Sequence, residues 1–321
     1  MTARKRQDLA GPVEGPVDAL VDGVGTPQSA DAGVGSRRAI LAGLGACCAS
    51  LSFGGAGHAQ LVSRASGGSP ASTWIKGFNS SVRLVAGALP PGEAGSKPRL
   101  FAGVEMRMEE GWKTYWRSPG DDGGLPPTFD WSASRNLRSA VVRYPAPQRM
   151  QGLTGTSIGY LKSVLFPVAI EADNLSKPVE LALALEYGIC KDICVPAEAH
   201  LKLFIPAGLG VMPPDLAAAL HKVPQPAASP AGLIKSVKAV LTGASPAITI
   251  DVAGGGFADL FAEIEGTFIP VAQRRGEPGG GGQRYVIDLK GVEEAPQLAG
   301  KTLRLTLAGP SKAVEVDWPI K

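Results

Sequence analysis

From residue 74 onward, apolar and polar positions alternate in short runs along most of the chain. The period of two at Val82–Ala86, Leu100–Met108, Val164–Ile170, Val179–Tyr187 and Ala199–Ile205 predicts strands, because successive side chains of a strand point to opposite faces. Leu181, Leu183, Leu185 and Tyr187 share one face of their strand, and Leu201, Leu203 and Ile205 share one face of the next. One apolar and one polar face per strand is the pattern of antiparallel sheets packed as a β-sandwich. Pro206–Gly232 interrupts the pattern. Pro213 and Pro214, followed by Asp215, Leu216 and an alanine run, predict one short helix with prolines at its start. Pro224–Pro230 predicts an extended linker. Alternation returns in Ala247–Val252, Thr267–Val271, Arg284–Leu289, Leu303–Leu307 and Val314–Trp318, with Gly276–Gly282 as a hairpin loop between strands. The expected fold class is all-β. A flexible lead-in (60–73) precedes a sandwich (74–206), the helix and linker (207–232) and a second, smaller β-domain (233–321).

The first 59 residues follow a different logic. Residues 1–35 have no apolar periodicity and are rich in Gly, Pro, Asp and Val, a composition that does not form a packed core. At Arg37-Arg38 the character changes to an apolar, small-residue run from Ala39 to Phe53, which Gly57-His58-Ala59 ends. A charged segment, a short apolar stretch and small residues before a cut describe a secretory signal. The paired arginines after Ser36 resemble a twin-arginine export signal, with cleavage expected after Ala59. The run is short of the roughly 20 apolar residues that a spanning helix needs, so a membrane anchor is the weaker alternative. Leu44-Gly45-Ala46-Cys47 offers another, a lipoprotein box with Cys47 as the acylated residue.

Export places the mature chain in an oxidising space, where a disulfide persists. The leader holds five basic and five acidic residues, so the net charge stays at +3 without it. That balance argues against a nucleic-acid or anionic-membrane partner. No other segment is long and apolar enough for a transmembrane helix.

Against this background the cysteines stand out. Of four in the chain, only Cys190 and Cys194 lie beyond the leader. The flanking strands make Lys191-Asp192-Ile193 a three-residue hairpin connection, so the two Cα atoms fall in or near the range a disulfide requires. Closing a loop of about five residues constrains the unfolded chain by only about 2 kcal/mol on the entropic model. A sandwich of this size does not depend on that, and an exposed small ring is among the more readily reduced disulfides. Redox work is therefore favoured over a structural staple. Two thiolates would also suit Cu(I) or Zn(II), but they are too few for a site on their own. His200, out of phase with Leu201 and Leu203, is expected to face solvent, and His221 ends the short helix. Lys191 favours the thiolate, while Asp192 and Glu198 oppose it.

At these residues the chain resembles a known family. Tyr187-Gly188-Ile189-Cys190-Lys191-Asp192-Ile193-Cys194-Val195-Pro196-Ala197-Glu198 is similar to the redox hairpin of the amino-terminal periplasmic domain of the thiol:disulfide interchange protein DsbD, in a version seen also in proteins related to copper-sensitivity suppressors. Gly111-Trp112-Lys113-Thr114-Tyr115-Trp116-Arg117-Ser118-Pro119-Gly120-Asp121 and Gly155-Thr156-Ser157-Ile158-Gly159-Tyr160 resemble it too. The likeness covers about residues 74–206. It implies an immunoglobulin-like sandwich with the disulfide at one end and Cys194 as the sulfur that partners attack. It implies a cap loop over the pair, which falls at Gln148–Ile158, with Met150, Leu153 and Ile158 as its apolar shields; the aromatic shield of some members is missing. Tyr115 and Trp116 match the family's aromatic stretch near the site, although both also suit core packing.

The resemblance implies electron relay between a membrane electron carrier and periplasmic thioredoxin-like proteins. The disulfide itself would carry the electrons, with no further cofactor. The membrane and thioredoxin-like domains of DsbD find no counterpart in the sequence, so the expectation is that electrons come from a separate protein or that the reductive activity has been lost. The expected function is thus periplasmic thiol:disulfide exchange, as a component of a protein-disulfide reductase. The alternatives are an immunoglobulin-like binding or scaffold protein with an inert disulfide, and a copper-handling protein.

Overall fold

The computed structural model describes residues 70–90, 99–152, 155–254, 256–277 and 281–321. The expected leader, with Cys47 and Ala59, and Leu153, expected as a cap residue, lie outside them. The first alternating block forms eleven strands. In chain order they are β1 (Ile75–Gly77), β2 (Ser80–Leu89), β3 (Arg99–Met108), β4 (Lys113–Gly120), β5 (Thr128–Asp130) and β6 (Leu137–Val142). Next come β7 (Gln148–Gln151), β8 (Thr156–Leu161), β9 (Ser163–Ala172), β10 (Val179–Cys190) and β11 (Cys194–Ile205). One sheet has the order β1-β2-β3-β9-β6; the other has β11-β10-β4-β8-β7, with β5 on β10.

The apolar faces read from the sequence meet between these sheets. Val82, Leu84, Ala102, Val104, Met106, Phe166 and Val168 from one sheet pack with Leu181, Leu183, Leu185, Leu201, Leu203 and Ile205 from the other. Phe166 also contacts the rings of Phe129, Tyr144 and Tyr160 edge-on, with centroids 5.4–5.7 Å apart. The result is an immunoglobulin-like sandwich whose core is removed from water, the main stabilising term of such a fold.

The predicted helix is α1 (Pro214–His221), with Pro214 at its first position. Leu216 is fully buried, seated where Gly87 and Gly103 leave no Cβ on the sheet. The linker differs from expectation. Gln225–Pro226 forms strand β12, which pairs in parallel with a strand of the second sandwich. The chain enters its second half as part of a sheet.

That half contains β13 (Ile234–Val240), β14 (Ala247–Val252), β15 (Asp259–Glu263), β16 (Gln273–Arg274), β17 (Gln283–Asp288), β18 (Thr302–Ala308) and β19 (Ala313–Pro319). Its two sheets run β12-β19-β18-β15 and β13-β14-β17-β16. The strand expected at Thr267–Val271 does not form. Among the described residues, its pairing is a single bridge of Thr267 to Ile264 across a tight turn. Ile269 and Val271 are nevertheless buried, which explains the alternation. The segment follows β15, which pairs with β18.

The sandwiches share apolar contacts. Phe261 and Val271 of the second join the core of the first, and the ring of Phe261 lies 5.8 Å from that of Trp116. Among the described residues, no helix is long and apolar enough to cross a membrane.

Candidate redox site

The β10–β11 hairpin runs in unbroken register from Val179↔Ile205 to Cys190↔Cys194. Lys191, Asp192 and Ile193 form the connection, and all three are exposed. Cys190 and Cys194 are disulfide-bonded, with Cα atoms 4.2 Å apart. The two sulfurs differ in surroundings. Cys190, next to β4, is fully buried, whereas Cys194, on the edge strand, is exposed.

Strand β4 touches β10 in register only at Lys113↔Cys190, and β5 pairs with β10 at Ala184, Leu185 and Glu186. Backbone groups in the gap between these pairings need other partners. Gly188 N–H donates to Leu125 O at 2.9 Å, and its carbonyl accepts from Thr114 Oγ1 at 2.9 Å. The Gly120–Leu125 loop is thereby drawn over the site. Gly124 lies there at φ +142°, where a side chain is strained, and a Cβ on it would run into the Tyr115 ring. Only glycine fits this approach.

Beneath that loop Tyr115 is 1% exposed. Its hydroxyl lies 3.0 Å from Cys190 Sγ and 2.9 Å from Cys194 Sγ. A disulfide sulfur carries no proton, so the tyrosine O–H is the donor. Burial, and secondarily the charge of Asp122, raises the Tyr115 pKa above the ordinary 10. The hydroxyl therefore stays protonated at neutral pH and is poised to donate to a thiolate when the disulfide opens. Donation to the charged form of a group lowers its pKa.

A polar chain lies beside the same loop. Lys113 Nζ donates to Ser157 Oγ at 2.8 Å, and Ser157 Oγ donates to Asp122 Oδ2 at 3.0 Å. Asp121 N–H donates to Thr156 O at 2.9 Å. The Gly120–Leu125 loop is thus tied to the segment after Gly155.

The other expected site residues fall as follows. Gln148–Ile158, expected as a loop, is largely the β7–β8 hairpin, with Met150 opposite Ser157 and Ile158 opposite Arg149. Met150 is buried, and Ile158 is part of the sandwich core. Trp116 follows Tyr115 on an extended strand and faces the other way. It is fully buried, with the Arg117 guanidinium 4.5 Å from its ring centroid. The Tyr187 hydroxyl is 2.8 Å from Ser80 Oγ, a bond between the two sheets. Lys191 stretches over Gly111. Glu198 meets His200 at 2.8 Å with both side chains exposed, and His221 is exposed at the end of α1. Among the described residues, no three potential metal ligands cluster.

Sequence reasoning missed Lys113, Thr114, Asp122, Gly124 and Leu125 as site neighbours. Their signal was the turn-like run Gly120-Asp121-Asp122-Gly123-Gly124 directly after the aromatic stretch.

With this geometry in view, the comparisons are specific. Residues 86–206 match the family model for thiol:disulfide interchange protein DsbD, N-terminal. The matched segment contains the hairpin, the disulfide, Tyr115 and the Gly120–Leu125 loop, so the similarity falls on the site itself. A solved structure, the N-terminal periplasmic domain of ScsB from Proteus mirabilis, matches with a TM-score of 0.58 at 20% identity. It covers 79% of this chain and 99% of that one, a span that takes in the second sandwich. At that identity the likeness speaks for the fold. No curated protein matches the chain.

Proposed function

We propose that this protein is a periplasmic thiol:disulfide exchange module that passes two electrons from a membrane electron carrier to thioredoxin-like proteins through Cys190 and Cys194. The observation that carries the reading is the asymmetry of the disulfide. One sulfur is exposed and the other buried, with the Tyr115 hydroxyl within 3.0 Å of each. A structural staple has no use for that arrangement, and a loop this small contributes little stability.

In the inward step a donor thiolate attacks Cys194 Sγ. The Cys194–Cys190 bond breaks, and Cys190 leaves as a thiolate that accepts the Tyr115 hydrogen bond. The donor's second thiolate then attacks its own sulfur in the mixed disulfide and releases Cys194 reduced. In the outward step the Cys194 thiolate attacks an acceptor disulfide and expels one acceptor thiolate. Cys190 then attacks Cys194 Sγ, re-forms the disulfide and releases the acceptor's other thiolate. Two electrons move in each direction, and the protons exchange with solvent. Exposed Ile193 and Leu125, on the loops beside the pair, supply an apolar rim for a docking partner.

Single-cysteine variants test the reading. Cys190→Ser leaves the exposed thiol and is expected to accumulate a mixed disulfide with a thioredoxin-like domain. Cys194→Ser leaves the buried thiol and is expected to trap far less. Capture by neither variant, on non-reducing gels with mass spectrometry, excludes the exchange role.

A further inference from the structure

We propose that Asp122 and Lys113 act with opposite sign on the ionisation of the reduced Cys190–Cys194 pair, Asp122 holding the thiols protonated and Lys113 favouring the thiolate. The proposal deepens the exchange reading above and rests on it. Both are positioning residues, acting on the sulfurs through Tyr115 and through space.

The thiolate is the working form of either cysteine, so the charges around the pair decide how much of it is present. Those beside the cysteines in sequence are poorly placed. Lys191 and Asp192 are exposed, where water and salt screen them, and Lys191 lies along Gly111. Glu198 meets His200, with both side chains mostly exposed. Glu186, opposite Glu198 on the hairpin, is exposed as well. Other charged groups near β4 are engaged with the second sandwich. Asp121 accepts from Val271 N–H, Arg117 pairs with Glu263, and Arg149 pairs with Asp259.

Lys113 and Asp122 are placed differently. Lys113 is the residue directly opposite Cys190 in the sheet, and directly opposite side chains project from the same face. Tyr115, two positions on, shares that face and brings its hydroxyl to both sulfurs. The Lys113 ammonium is held in place, donating at 2.8 Å to Oγ of Ser157, a fully buried residue. Ser157 in turn donates to Asp122 Oδ2 at 3.0 Å. Both contacts are partly buried, so salt screens these charges less than the exposed ones. Asp122 lies in a turn closed by Gly123 N–H to Gly120 O at 3.2 Å. Gly124, two residues on, lies against the Tyr115 ring. Burial, and then the Asp122 charge, strengthen the hold of Tyr115 on its proton. A thiolate bonded to that hydroxyl is opposed by the same charge, because like charges disfavour each other's ionised forms. Lys113 contributes the reverse.

The test titrates the reduced full chain by iodoacetamide alkylation at graded pH, with each alkylated cysteine assigned by mass. Asp122→Asn, which keeps an oxygen for Ser157, is expected to lower the apparent pKa of the pair by about one unit, the effect of one nearby charge. Lys113→Gln is expected to raise it by a similar amount, and the double variant to return it near the original value. Lys113→Arg keeps the charge and is expected to leave the titration in place. Asp121→Asn alters the same loop at a carboxylate turned to the second sandwich, and is expected to leave it in place too. Should Lys113→Gln fail to fold, salt supplies the second reading. The difference between the original chain and Asp122→Asn is expected to shrink as ionic strength rises.

Shifts of the same sign in Asp122→Asn and Lys113→Gln overturn the proposal, because they mark a loosened loop instead of a charge effect. So do coincident titrations, a difference indifferent to salt, or an Asp121→Asn shift as large as that of Asp122→Asn. If the titrations move as expected but no form passes electrons to an oxidised thioredoxin, the charge pair stands and the exchange role falls. If transfer proceeds while all titrations coincide, the exchange role stands and this proposal falls.

Discussion

Each sandwich contains a long antiparallel hairpin, and the two tips differ in everything except backbone. The β18–β19 hairpin runs in register from Thr302↔Pro319 to Ala308↔Ala313. Its turn closes with Gly309 N–H donating to Lys312 O at 2.8 Å, and Pro310, Ser311 and Lys312 are exposed. The β10–β11 hairpin is longer, and it closes with a bond between Lys191 and Ile193. In its last pair Cys190 is buried and Cys194 exposed, and the buried Tyr115 brings its hydroxyl to both sulfurs. A hairpin tip is a solvated turn unless neighbouring segments bury it. The chemistry of the first tip therefore belongs to the neighbours as much as to the two cysteines.

The most direct way to break the contrast is to make the first tip chemically silent. Cys194→Ser is expected to abolish exchange with a thioredoxin-like domain while leaving the sandwich folded, as judged by circular dichroism. Retained turnover would show that the disulfide is not the working group.

Next in size is the shared core that puts the second sandwich beside the first. Trp116 is fully buried and packs on Phe261. Trp116→Ala is expected to cost about 3–5 kcal/mol in denaturant unfolding, the range for deleting a large buried aromatic. A loss below about 1 kcal/mol would mean that the ring carries little of the packing.

Tyr115→Phe sharpens the comparison without changing shape. It removes a hydrogen bond to a developing thiolate, worth about 1.5–3 kcal/mol for a charged partner. The thiol pKa of the reduced pair is expected to rise by at least about one unit, with exchange at pH 7 slowed about tenfold. The Tyr115 pKa is itself raised by burial, so the bond it donates is fully present below pH 10 and is lost only as pH climbs through the raised value. Exchange should therefore show no loss assignable to this hydroxyl between pH 6 and 9. A thiol titration identical to that of the unaltered protein would remove Tyr115 from the mechanism.

The smallest effect is expected at the other tip. Lys312 lies over Phe257, 5.3 Å from the ring centroid, an exposed cation–π contact worth about 0.5–1 kcal/mol. Lys312→Ala should lower stability by no more than that and leave exchange untouched. A change in exchange rate would mean that the second sandwich communicates with the redox site from its far turn.

Much of this was written in the alternation. The shared faces of Leu181 to Tyr187 and of Leu201 to Ile205 gave the hairpin, its register and the placement of both cysteines. Where alternation failed, it failed for a physical reason. Side-chain periodicity reports burial, and strands are defined by backbone pairing. Thr267–Val271 alternates because Ile269 and Val271 are buried, yet the Val271 N–H bonds an aspartate side chain of the first sandwich instead of a neighbouring strand. Strand β4 escaped notice for the opposite reason. Both Tyr115 and Trp116 are buried, on opposite faces, so no polar face marks it, and its pairing with β8 shifts register between Tyr115 and Gly120. The Tyr115 contact to both sulfurs depends on how the loop folds back over β4, and no local pattern encodes that return. The contacts between the sandwiches are equally silent in sequence, because Arg117 and Arg149 meet their partners more than a hundred residues away.

The central claim is that Cys190–Cys194 is a working redox couple. Its reduction potential, measured by equilibration of the full chain with defined glutathione or thioredoxin-like couples, tests that claim most directly. The account predicts a value above about −300 mV, within reach of exchange partners; a value below about −300 mV, the range of inert structural disulfides, would contradict it.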